Sequence, residues 1–182
     1  MRFDLNNGLT LKKLETRAGK AVFELVDKNR DHLRQWLPWV DSTKKEEDSL
    51  AFIESTLQQF ERNKSLQCGI WFKGELAGIV GQHRVDWPNK WSSLGYWLAQ
   101  EFEGKGIMTK ACKGMIHHSF EAQKLNRVEI AVAVDNNKSR AVPERLGFKM
   151  EGTLRQKEWL YDRYVDHAVY SLLKSEWKGN AV

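Results

Sequence analysis

The stretch "EFEGKGIMTK" (residues 101–110) follows "SLGYWLAQ" (93–100) and decides how the chain reads. Gly104 and Gly106 lie between the end of an apolar strand and the start of an amphipathic helix. Glycine lets successive amides turn inward with no Cβ in the way. A helix N-terminus adds unpaired N–H groups and a partial positive charge. Such a turn is a ready site for a pyrophosphate, with Lys105 and Lys110 near enough to add screening charge. The same pattern also serves as a plain tight turn, where glycine is the default residue. The Walker A ending of Lys-Ser/Thr is absent. Thr109 occupies the place of the third Rossmann glycine. ATP and NAD sites are therefore poorly supported.

Working outward, periodicity supplies the other elements. "LTLKKLE" (9–15) alternates weakly as a first strand. Ala21, Val22, Leu25, Val26 and Leu33 recur at helical spacing from Arg17 to Leu33, and Leu50, Phe52, Ile53, Leu57 and Phe60 do so from Ser49 to Asn63. "QWLPWVDSTKKEED" between them is a loop interrupted by Pro38. Residues 67–72 and 75–86 are two strands around a Lys73-Gly74 hairpin turn. Residues 92–99 form a third, Gly104 to Gln123 a helix, and the sharply alternating 127–134 a further strand. Residues 138–147 form a short helix that Gly147 can end. Two strands, in 148–160 and 163–174, close the chain. The order predicts one mixed α/β (α+β) domain over 1–182, with about seven strands and about four helices. One strand–helix–strand crossover interrupts an otherwise antiparallel sheet.

Composition narrows the classes. A chain of 182 residues forms one domain and buries a core without disulfides. Cys68 and Cys112 are far apart, fit no metal-ligand spacing and read as buried or incidental thiols of a reducing compartment. No metal site is expected. The first residues lack an apolar signal region, and no run is apolar enough to span a bilayer, so a cytoplasmic location is expected. The net charge of +5 fits a polyanionic ligand or a ribosome-associated target, and equally a protein that is simply basic. Arginine-rich arms, zinc-finger spacing and RNA-binding aromatic motifs are absent, which argues against direct reading of nucleic acid.

After the strand 127–134 come Asn136-x-x-Ser139 and Leu146-Gly147-Phe148. This ordered set resembles the GCN5-related N-acetyltransferase (GNAT) superfamily, in which Q/R-x-x-G-x-G/A precedes a helix, a strand, N-x-x-S and a short helix ending L-G-F. The ending "GTLRQKEWLYDRYVDHAVYSLLKSEW" is similar to the branch of ribosomal-protein alanine and serine N-acetyltransferases. The resemblance covers nearly the whole chain. It implies a twisted sheet with a splayed parallel pair, acetyl-CoA as co-substrate, and a homodimer as one assembly the branch allows. Two positions depart from the pattern. Glu101 stands where Gln or Arg is written, placing a carboxylate near a pyrophosphate. Pro143 lies inside the short helix, where it removes the i+4 donor of the Ser139 carbonyl, and a kink is expected there.

The resemblance also assigns roles. The pyrophosphate falls to Gly104, Lys105, Gly106, Ile107, Met108 and Thr109. The pantetheine arm falls to the backbone of Leu98 and Ala99 and to Asn136. Ser139 offers a proton to the leaving thiolate, and Glu158 is the candidate general base. Trp36 and Trp39 border the acceptor groove. Each residue has a plainer reading. Leu98 and Ala99 can be core strand, Asn136 and Ser139 helix caps, Glu158 a solvated surface carboxylate, and the tryptophans a lid over the core. None of His32, His83, His117, His118 and His167 is favoured as catalytic. The expected reaction is acetyl transfer from acetyl-CoA to an amine, foremost a protein N-terminus. Small amines and a non-catalytic CoA-binding module are the alternatives.

Overall fold

The computed structural model describes residues 1–179; the last three residues of the expected 1–182 domain lie outside the described residues. Eight strands form one sheet in the order β1-β2-β3-β4-β5-β6-β8-β7. They are β1 (Arg2–Asp4), β2 (Leu9–Lys13), β3 (Leu66–Phe72), β4 (Glu75–Asp86), β5 (Trp91–Leu98), β6 (Arg127–Ala133), β7 (Lys149–Leu160) and β8 (Arg163–Leu173). The helices are α1 (Gly19–Lys28), α2 (Arg30–Arg34), α3 (Glu46–Glu61), α4 (Ile107–His117) and α5 (Asn137–Arg145). The mixed α/β class holds, with one strand and one helix more than counted from sequence.

Each addition has an identifiable cause. β1 is three residues long and too short to show alternation; it pairs with β2 through a turn in which Asn6, Asn7 and Gly8 all have positive φ. The expected helix from Arg17 to Leu33 breaks at Asn29, whose backbone (φ −114°, ψ 20°) leaves the helical range. Its Nδ2 donates to the Leu25 carbonyl at 3.0 Å, and its Oδ1 accepts from the Gln100 amide at 3.0 Å. One buried side chain thus ends α1 and fixes the segment leaving β5. The third helix begins earlier than read from apolar spacing, because Asp48 accepts from the Lys44 and Lys45 amides and caps the turn ahead of Ser49.

The β3–β4 hairpin turns on Lys73 (φ 52°) and Gly74 (φ 92°), the left-handed pair that matches strand twist. Cys68 and Cys112 are free and fully buried; burial pushes the Cys68 thiol up to about 12. No helix among the described residues is long and apolar enough to cross a membrane.

The functional consequence of the topology is a split. β5 and β6 are the parallel pair, and their ladder covers only Trp91↔Arg127, Ser92↔Val128 and Ser93↔Glu129. Beyond Ser93 each strand keeps its outer neighbour, β4 or β8, while the two part from each other. A V-shaped gap therefore opens toward the carboxyl ends of β5 and β6.

Candidate active site

The glycine turn closes one end of this gap. A short 3-10 turn, Gln100–Phe102, follows β5, and then Gly104 (φ 72°) and Gly106 (φ 70°) both adopt the left-handed conformation. Gly106 is the residue that starts α4, with no side chain capping the helix. The expected helix start at Gly104 therefore moves to Ile107, because both glycines are spent on the turn. The first amides of α4, from Ile107 to Thr109, are the orphan donors of a helix N-terminus. A Cβ at Gly104 or Gly106 would meet nothing within 4 Å, so both glycines face open space. Unpaired amides, a helix dipole and open room fit a pyrophosphate.

The carboxylates around this turn are neutralised. Lys28 Nζ lies 2.6 Å from Glu101 Oε1, and this hydrogen bond holds the Glu101 carboxyl below its ordinary value. Glu103 is paired with Lys138 at 2.7 Å and faces His32 at 3.4 Å. Lys105 folds back to donate to the Glu101 carbonyl at 2.7 Å. Arg145, at the end of α5, donates to Thr109 Oγ1 at 3.2 Å and brings another cation to the first turn of α4.

Along the gap, backbone direction follows from the ladder. The Ala99 amide donates to the Ala77 carbonyl at 2.9 Å, and its carbonyl accepts from Phe102 at 3.0 Å. Alternation sends the N–H and C=O of Leu98 and Tyr96 the opposite way, into the gap. Across it, Asn136 caps α5: its Oδ1 accepts from the Ser139 amide at 3.1 Å. The helix runs through Pro143 without a break, and the Ser139 carbonyl accepts from the Tyr96 hydroxyl at 2.9 Å.

Pairing register sorts the remaining residues by sheet face, since paired residues point the same way. Trp91 pairs with Arg127 and Ala133 with His167, so Trp97, Ala133 and His167 share one face. Glu158 belongs to it too, with Oε2 3.3 Å from His167 Nε2. Trp39 packs its ring 6.1 Å from that of Trp97 on this face. Tyr96 and Tyr170 lie on the other, where they bond to α5: Tyr170 accepts from Arg140 at 2.9 Å and donates to Glu144 at 2.8 Å. Ser139 and the glycine turn therefore stand on the α5 side of the sheet, Glu158, Trp39 and Trp97 on the opposite side, with the gap between.

Glu158 is placed by an irregularity in β7. Three residues, 155 to 157, stand opposite the single Asp166 of β8, and Asp166 Oδ1 accepts from the Gln156 amide at 2.7 Å where Gln156 has φ 49°. Trp36 lines a surface depression of about 430 Å³ with Arg34, Tyr161 and Arg163. Its loop is tied to the β7–β8 turn: the Tyr161 hydroxyl donates to the Leu37 carbonyl at 2.7 Å, and Arg34 stacks 3.8 Å from the Tyr161 ring. Sequence reasoning did not pair Lys28 with Glu101 or His167 with Glu158. The missing amide at Pro143 led to the expectation of a kink and not to the Tyr96 hydroxyl that meets the Ser139 carbonyl.

A sheet split between two parallel strands, with a helix N-terminus suited to an anion beside the split, is an architecture that fits an enzyme moving an acyl group from a CoA thioester. The chain matches the model of the Acetyltransferase (GNAT) domain over residues 9–149 and belongs to that family. It is an acetyl-CoA-dependent N-acetyltransferase. Two curated relatives are similar over most of their lengths. One is the "Putative ribosomal N-acetyltransferase YdaF" of Bacillus subtilis (strain 168), 38% identical over 176 residues, 96% of each protein. The other is the ribosomal-protein-serine acetyltransferase of Escherichia coli (strain K12), 34% identical over 152 residues, 84% of this chain and 85% of that one. A solved structure of RimL, a ribosomal L7/L12 alpha-N-protein acetyltransferase in complex with coenzyme A, superposes with TM-score 0.93 at 27% identity, covering 97% of this chain and 99% of that one.

Proposed function

We propose that this protein acetylates the N-terminal α-amine of a protein, a ribosomal protein foremost, by direct transfer within a ternary complex. The observation that carries this reading is the charge of two open depressions along β7 and the β7–β8 turn, neither of them acidic. The one at the β7 bulge just ahead of Glu158, about 730 Å³, is lined by Arg155 and Lys157 with one carboxylate, Asp166. In the one beside Trp36, Asp31 and Asp162 are matched by Arg34 and Arg163. A polyamine would call for excess negative charge, whereas a chain terminus needs an open approach and a modest base. The relatives named for ribosomal proteins support the same acceptor.

In this reading Gly104, Lys105, Gly106, Ile107, Met108 and Thr109 hold the pyrophosphate, and the backbone of Leu98 with Asn136 holds the pantetheine. The Ala99 amide turns to β4 and secures the strand. Acetyl-CoA supplies the activated acyl group. Glu158, supported by His167, accepts the amine proton, directly or through water. Ser139 donates its hydroxyl proton to the departing thiolate and is reprotonated from solvent, to which Glu158 releases the proton it took from the amine. Trp36 and Trp39 border the acceptor. The whole chain, 1–182, works as one domain in the cytoplasm. The edge strand β7, with Met150, Leu154 and Trp159 exposed, suits pairing of two copies.

The test is acetyl-CoA turnover with peptides carrying a free N-terminal Ser or Ala, the same peptides blocked at the N-terminus, and spermidine. Acetylation of the free peptides alone is the expected result. Turnover of spermidine without turnover of any peptide would overturn the acceptor assignment.

A further inference from the structure

We infer that Tyr96 is a positioning residue for Ser139, its hydroxyl replacing the helix donor that Pro143 removes. The inference rests on the reading of Ser139 as the proton donor to the leaving sulfur, and it adds a residue to that step. In an α-helix the carbonyl of residue 139 takes its hydrogen bond from the amide of residue 143. Here residue 143 is proline, which has no N–H. Pro143 is buried, so water is a poor substitute. The Tyr96 hydroxyl fills the position at 2.9 Å. Ser139 is thereby held by both of its backbone polar groups, the amide by Asn136 and the carbonyl by Tyr96.

The direction of this bond matters more than its existence. An ordinary helix amide would tie Ser139 only to its own helix. Tyr96 belongs to β5, on one side of the gap, and Ser139 follows β6, on the other. The bond therefore ties α5, which follows β6, to β5 on the other side of the split. Burial pushes the Tyr96 hydroxyl well above its ordinary value, so it stays a donor across the neutral range. The Arg145–Thr109 bond makes a second crossing between α5 and α4 near the glycine turn. The pair of ties holds α5 against β5 and α4 together, which keeps the proton donor in register with the site for the pyrophosphate.

The test uses the full-length protein, acetyl-CoA and a peptide with a free N-terminal serine. Tyr96→Phe keeps the ring and removes the donor. Its expected effect is a fall in kcat of about tenfold, with the KM and Kd for acetyl-CoA within about twofold. Hydrogen exchange of the α5 amides, read without any acceptor, should accelerate. Adding Pro143→Ala to Tyr96→Phe returns an N–H to the Ser139 carbonyl, and both kcat and exchange should recover. In a Ser139→Ala background Tyr96→Phe should add no further loss. Wild-type kcat and exchange in Tyr96→Phe would overturn the inference, as would an undiminished effect of Tyr96→Phe beside Ser139→Ala. Wild-type turnover in Ser139→Ala alone would instead overturn the role of Ser139, and exchange in α5 would still decide whether Tyr96 holds the helix.

Discussion

Lys28 donates to Glu101 at 2.6 Å, joining the end of α1 to the turn that follows β5. Glu101 occupies the position where the family pattern has Gln or Arg, and its charge there opposes a pyrophosphate. Lys28 cancels that charge, so the pair together presents what the single residue does not. Lys28→Ala should weaken acetyl-CoA binding about threefold to tenfold, as expected for a partly exposed charge near an anion. Adding Glu101→Gln should restore it. Calorimetric titration at low and at physiological salt checks both, and the difference should shrink as salt rises.

Gly106 lies at φ 70° with open space where a Cβ would go. Gly106→Ala should cost about 1–2 kcal/mol from backbone strain alone. For a chain of this size that lowers Tm by a few degrees, about 2–4 °C per kcal/mol. Binding should suffer more than folding, because the new methyl occupies the space over the helix N-terminus. A normal acetyl-CoA Kd in a folded Gly106→Ala protein would place the pyrophosphate elsewhere.

Glu158 has a direct partner in His167 on the face of the sheet that carries Trp97. As a general base it matters while the acceptor amine is protonated. A terminal amine has a reference pKa near ~8, so Glu158→Gln should lose about 10²-fold in kcat/KM near neutrality, and less as pH rises past that value. A pH–rate profile with a peptide acceptor reads the difference. A loss that is uniform with pH would mean that Glu158 orients substrate without taking the proton.

Glu151 binds the Arg127 guanidinium through both oxygens, at 2.7 and 2.5 Å, and accepts from Ser171 at 2.6 Å. These bonds hold its carboxyl at about 2, below the ordinary 4.5. A depressed carboxyl contributes stability that is full above its unfolded value and is lost as pH falls through the folded one. The window is therefore pH 4.5 down to about 2. Glu151 is partly exposed, and solvent screening keeps the contribution to about 1 kcal/mol. Glu151→Gln should lower stability by that amount at neutral pH. Acid unfolding of the variant should also depend less steeply on pH within the window.

The class of fold, the order of its elements and the family were legible in the sequence, because each depends on local signals. Alternation in 127–134 marked β6, and Lys73-Gly74 marked a hairpin turn. The ordered set Gly104, Gly106, Asn136, Ser139 and Leu146-Gly147-Phe148 lay along one continuous stretch of chain. Local signals also misplaced what they could not resolve: β1 is too short to alternate, and the break at Asn29 depends on Gln100, far along the chain. Relations across the sheet were decided only by tertiary structure. The pairing of Ala133 with His167 puts Glu158 on the tryptophan side of the gap, and Lys28 reaches Glu101 only when α1 packs beside the glycine turn. Pro143 shows both halves at once. The sequence alone showed that the Ser139 carbonyl loses its helix donor, since proline has no amide to give, and led to the expectation of a kink. That the replacement donor is Tyr96, across the split between β5 and β6, follows from how far apart those strands stand once folded.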